Sequence, residues 1–141
     1  GIAPATSVGM GVSSFKDLRA WQSASAVRKA VISLCQRRAI AGDLKFRDQF
    51  DSASSSACRN LAEGFGRYRH PDFARFTVIS LGSLNELLDL CEEASAKGYI
   101  SSEEHGSLTA QIAETIDVTN RLRRYLQNTP TPKERLRHKR T

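Results

Sequence analysis

The sequence predicts an all-α protein, an antiparallel up-down four-helix bundle, on three observations. Apolar and small residues recur every three or four positions in four separate segments, the spacing of helices that each bury one face. No segment shows a convincing strand-like alternation of apolar and polar residues. The last three segments are joined by only a few residues each, which favours antiparallel neighbours.

The first segment runs from about Asp17 to Arg38, with Ala20, Ala24, Val27, Val31 and Leu34 on one stripe and Trp21 beside it. The second, from about Phe46 to Phe65, carries Phe46, Phe50, Ala53, Ala57 and Leu61. Its Ser52-Ala53-Ser54-Ser55-Ser56-Ala57 run permits close helix approach while weakening helix propensity. The third, from about Asp72 to Lys97, repeats the step through Phe73, Phe76, Ser80, Ser83, Leu87, Leu90 and Ala94. Ile79, Leu84, Leu88 and Cys91 widen its stripe. Pro71 suits the first turn and Asp72 complements the helix dipole. Gly98 before Tyr99 reads as a left-handed stop. The fourth starts at Ser101, which has capping-box spacing to Glu104. It follows Leu108, Ile112, Thr115, Thr119, Leu122 and Leu126.

The ends differ from this body. Residues 1–14 hold an uncharged stretch before Met10, expected to be disordered or introduced by cloning, with Met10 the native start. Residues 15–127 form the expected bundle, and Asn128-Thr129-Pro130-Thr131-Pro132 breaks any helix. Residues 128–141 form a flexible basic tail of five cations and one acid, which holds most of the chain's net charge of +6. The chain before Asp43 is also basic, whereas Pro71 to Ile100 is acidic through Asp72, Glu86, Asp89, Glu92 and Glu93. The plain reading is solvated faces; the sharper one is complementary helices that meet across subunits.

Several motifs point to one family. Phe15-Lys16-Asp17-Leu18-Arg19-Ala20-Trp21-Gln22 resembles the opening F-x-D-L-x-x-W-Q of the four-helix proteins found as open reading frames in intervening sequences of bacterial 23S ribosomal RNA genes. Asn60-Leu61-Ala62-Glu63-Gly64-Phe65-Gly66-Arg67 is similar to that family's N-I-A-E-G-x-G-R. Phe73 and Phe76, Gly82-Ser83-Leu84 with Glu86, and Gly98-Tyr99-Ile100 match its later motifs in order. Ser56-Ala57-Cys58-Arg59 departs from the Pro or large aliphatic residue that many members carry there. The resemblance implies a bundle that assembles into a homopentameric ring. It also implies kinship to the accessory protein of diversity-generating retroelements, which assists a reverse transcriptase through nucleic-acid contacts. On the same terms Trp21, Asn60, Glu63, Gly64, Gly66 and Gly82 are structural motif residues.

No catalytic or metal-binding residue is expected, and no cofactor. His70, His105 and His138 lie far from any ligand spacing, and no Glu-x-x-His pattern precedes them. No G-x-S-x-G surrounds a serine. Cys35, Cys58 and Cys91 have no CxxC spacing and read as buried thiols in a reducing cytoplasm. No run approaches the roughly 20 apolar residues of a membrane span, so no membrane partner is expected.

The chemistry left is electrostatic. Arg121, Arg123 and Arg124 close the fourth segment, and Lys133, Arg135, Arg137, Lys139 and Arg140 follow in the tail. These are the candidate contacts to an RNA or DNA backbone, with Tyr68 and Tyr125 placed to stack bases or simply to pack. Around Gly64 and Gly66, Arg67 and Arg69 are secondary candidates. Either the glycine turn cradles a phosphate, or it only ends one helix and begins the next. The expected protein is a non-enzymatic cytoplasmic oligomer that binds nucleic acid without strong sequence preference. The alternative is a ring-shaped scaffold that recruits a protein partner.

Overall fold

The computed structural model describes residues 12–133. Among them a 3₁₀ turn, Phe15–Asp17, precedes five helices: α1 Arg19–Cys35, α2 Arg38–Ala41, α3 Leu44–Phe65, α4 His70–Ala96 and α5 Ser102–Asn128. The expected simple four-helix bundle is therefore corrected. The first periodic segment does not run unbroken to Arg38; the chain leaves α1 at Cys35, takes an extended turn at Arg37 and restarts as α2. The reason lies in the stripe itself. Continued four residues past Leu34, it would drive Arg38 into the core, and burying an unpaired charge is costly. The break instead sends Arg37 outward and buries Ile40 completely.

The four long helices form a ring of neighbours, α1 against α3, α3 against α4, α4 against α5 and α5 against α1, so that α1 and α4 lie diagonally opposite. Ser14 caps the 3₁₀ turn reciprocally with Asp17. Ser101 and Glu104 make the corresponding capping box at α5. Gly98 takes a φ of 73°, and Tyr99 N–H donates to Ala94 O at 2.8 Å, the helix stop that the Gly-Tyr step suggests.

The core has two apolar halves. Val31, Ile40, Phe46, Phe50, Leu87, Leu90 and Ile112 centre the half near the α4–α5 turn. Leu18, Ala24, Leu61, Phe73, Leu122 and Leu126 centre the half near the α3–α4 corner. Between them lies a waist of hydroxyls. Ser80 Oγ donates to Ala57 O at 2.8 Å, and Ser56 and Ser83 join at 2.8 Å. Thr115 Oγ1 donates to Gln111 O at 2.9 Å, so the 2.6 Å contact from Ser23 is a donation to Thr115. These bonds offset the cost of burying the hydroxyls.

Candidate nucleic-acid interface

The α3–α4 corner is built around a missing side chain. A Cβ on Gly64 would stand 2.6 Å from the Phe73 ring and 2.9 Å from Phe76 Cβ, so glycine lets α3 seat directly on these aromatics. Gly66 has an ordinary right-handed φ of −72°, and its N–H donates back to Ala62 O and Glu63 O. Arg67 N–H donates to Gly64 O at 3.0 Å. The N–H groups a phosphate cradle would need are thus spent on α3's own carbonyls, which favours the plain reading of the glycines. The Asn60 amide donates to Ser56 O and Oγ within α3. Glu63 pairs with Arg67 at 3.0 Å, and the Arg67 guanidinium lies 4.7 Å from the Phe76 ring centroid. Trp21 packs edge-on to Phe15 with centroids 5.2 Å apart. Gly82 is exposed on α4, with open space where its Cβ would be.

His70 carries a role that its sequence position does not reveal. It is 2% exposed at the start of α4. Its backbone N–H donates to Thr131 Oγ1 at 2.8 Å, and its Nδ1 lies 2.8 Å from Thr129 O. A carbonyl only accepts, so Nδ1 carries the hydrogen, and Nε2 is buried without a partner among the described residues. The imidazole also stacks obliquely on Tyr125, centroids 5.7 Å apart. This tie holds the chain just beyond α5 against the α3–α4 corner. The partners lie about sixty positions apart, and the only local signal was a histidine preceding Pro71.

The consequence is electrostatic. Arg67 and Arg69 leave the end of α3, while Arg121, Arg123, Arg124 and Lys133 close α5 and the segment after it, all at one end of the molecule. Arg121 pairs with Asp117 at 2.8 Å. Arg123 donates to Asn120 Oδ1 and Gln127 Oε1, both uncharged. Arg69, Arg124 and Lys133 are exposed and have no carboxylate partner among the described residues. Arg135, Arg137, Lys139 and Arg140 lie outside the described residues, as do residues 1–11.

The opposite end is wired differently. Tyr99 OH donates to Asp43 Oδ2 at 2.6 Å, and Lys97 Nζ reaches the same oxygen at 3.1 Å and Glu93 at 2.8 Å. The Tyr99 and Lys97 hydrogen bonds and the Phe46 backbone N–H hold the Asp43 carboxyl below its usual range. Arg37 grips Glu104 through both its terminal nitrogens, and this brings the Glu104 pKa down to about 2. Among the thiols, burial pushes Cys58 up to about 11 and Cys91 up to about 12, which makes both inert.

Among the described residues no three or more His, Cys, Asp or Glu side chains are grouped to hold a metal ion, and no helix is long and apolar enough to cross a membrane. The family model described as "23S rRNA-intervening sequence protein" matches residues 16–121. No curated protein matches the chain.

Proposed function

The chain belongs to the 23S rRNA-intervening sequence protein family, and from that premise we propose a non-enzymatic, self-associating helical protein of the cytoplasm whose basic end holds the phosphate backbone of RNA or DNA. One observation carries the reading. The His70 tie draws the end of α5 onto the Arg67–Arg69 corner, so cations far apart in sequence act as one surface. Such a surface attracts a polyanion through counterion release, with little discrimination among bases. Arg69, Arg124 and Lys133, which lack a carboxylate partner among the described residues, supply the contacts together with Arg123. Arg121 and Arg67 give up less, since each is already paired with a carboxylate. The cytoplasmic assignment rests on the free thiols, which suit a reducing compartment.

Self-association has support in the diagonal placement of α1 and α4. α1 has no acidic residue and exposes Lys29 and Ile32 along its length, with Arg28 half-buried beside them. Arg28 Nε is buried without a hydrogen-bond acceptor among the described residues. α4 exposes Ile79, 45% accessible, beside Glu86 and Asp89. Opposite signs on opposite faces favour head-to-tail contacts, which close into a ring when the rotation permits; the ring proposed is a homopentamer.

The test is binding of a generic RNA across a salt series, with the full chain and with a chain ending at Lys133, which keeps the His70 tie. Binding that weakens linearly in log–log form with salt, and weakens further on truncation, supports the reading. Absence of binding at low salt would sink it. A monomer by light scattering at micromolar concentration would sink the assembly.

A further inference from the structure

A groove runs between the start of α4 and the end of α5. Pro71, Ala74, Arg75, Val78, Leu126 and Gln127 enclose about 410 Å³ of it. Pro71, Leu126 and Gln127 also border a second space of about 460 Å³ that reaches Arg69 and the segment after α5, so the two spaces adjoin.

Three features of this groove select the same kind of occupant. Its floor is aliphatic, and Val78 stands 50% exposed, although valine gains by burial. Its rim carries Arg69 and Arg75. Neither side chain has an ion pair or hydrogen bond among the described residues, even though Asp72 lies one turn from Arg75. Its far wall is extended chain: Thr129 has φ −124° and ψ 120°, and His70 holds the segment in place through Thr129 O and Thr131 Oγ1. Pro130 and Pro132 lack backbone N–H groups and His70 occupies Thr129 O, so this fixed wall confines an extended peptide whose hold comes from its side chains rather than from strand pairing.

We propose that this groove binds an extended segment of another protein, with an aliphatic side chain on the Pro71–Val78–Leu126 floor and a flanking carboxylate on Arg75 or Arg69. The chain's own residues 134–141 do not suit it, because their four cations and single acid meet the same two arginines with like charge. A phosphate backbone would engage the rim arginines but leave the aliphatic floor uncovered, since no aromatic ring lines the groove to bring a base onto it. The site goes beyond the nucleic-acid reading and uses Val78 and Arg75, which that reading does not require.

The experiment is fluorescence anisotropy on the full chain with a labelled octapeptide of alternating leucine and aspartate. Peptides alternating leucine with lysine and serine with aspartate serve as controls. The leucine–aspartate peptide is expected to bind saturably, and the controls are not. Val78→Glu and Arg75→Glu, both at exposed positions, are expected to weaken it at least about tenfold, while Arg75→Lys retains it. RNA binding measured on Val78→Glu stays at the parent level, so the two readings fail separately. No binding of the leucine–aspartate peptide, equal binding of the lysine control, or unchanged affinity in both Glu variants would overturn the proposal. So would loss of self-association in Val78→Glu without peptide binding by the parent, which assigns the groove to a second copy.

Discussion

The two ends of the helical ring treat charge in opposite ways. Where α4 turns into α5, Arg37, Glu104, Lys97, Asp43 and Glu93 are all engaged in ion pairs, His105 Nε2 meets Glu92 at 2.7 Å, and the cations help close the corner. At the α3–α4 corner, packing does that work instead: Gly64 on Phe73, Phe65 against Phe73 at 6.4 Å, and His70 locking the outgoing chain. There Arg69, Arg75, Arg124 and Lys133 remain without carboxylates among the described residues. Cations that the fold does not need are the ones available to a partner. The proposed binding thus belongs to the packed end, and electrostatic stabilisation to the paired end.

Four changes would break or sharpen that contrast. The largest effect is expected from Phe46→Ala, which empties a fully buried site between Phe50 and Tyr99 at the paired end. Denaturant unfolding should show a loss of about 3–5 kcal/mol with RNA affinity of the folded protein unchanged. Gly64→Ala attacks the packed end. The new methyl meets the Phe73 ring, and overpacking outweighs the gain in helix propensity, for a net loss of about 1–2 kcal/mol. A stabilised Gly64→Ala protein would show that the corner yields freely.

Glu104→Gln probes the paired end by pH. The carboxyl's pKa falls from an ordinary 4.5 to about 2 on folding. Its contribution is therefore complete above pH 4.5 and is lost as pH falls towards 2. Melting temperatures should show a lower value for the variant at neutral pH and a smaller further decline between pH 4.5 and 2. Parallel curves for the two proteins would remove Glu104 from the acid response. The smallest effect on the fold belongs to Arg124→Gln, within about 0.5 kcal/mol because the side chain is exposed and has no partner among the described residues. In titrations with a single-stranded RNA it should lower the salt slope by about 0.7 if one phosphate contact is lost. An unchanged slope would take Arg124 out of the interface.

The sequence expectations and the structure part company at identifiable places. The stripes of the second and fourth segments were legible to the residue: Phe46, Phe50, Ala53, Ala57 and Leu61 are all buried, as are Leu108, Ile112, Thr115, Thr119, Leu122 and Leu126. Ile79 is a miss. Its spacing puts it at the side of a buried stripe, but it is 45% exposed, because periodicity cannot tell the edge of a core from an outward face. The unbroken first helix is another, since helical spacing alone does not register that the next stripe position is an arginine. Of the site, the arginines closing α5 were visible as a run, but their convergence with Arg69 was not. That depends on His70 reaching Thr129 and Thr131, and no local pattern encodes a contact across about sixty residues.

What the sequence determined by itself is the helical character, the caps at Ser101 and Gly98, and the buried faces, because each follows from dihedral preference or spacing within a few residues. What only the tertiary structure decided is the short helix α2, the hydroxyl waist and the shared basic end. Each of these depends on which distant groups come within hydrogen-bonding or packing range, and burial then makes every unsatisfied group costly enough to select one arrangement.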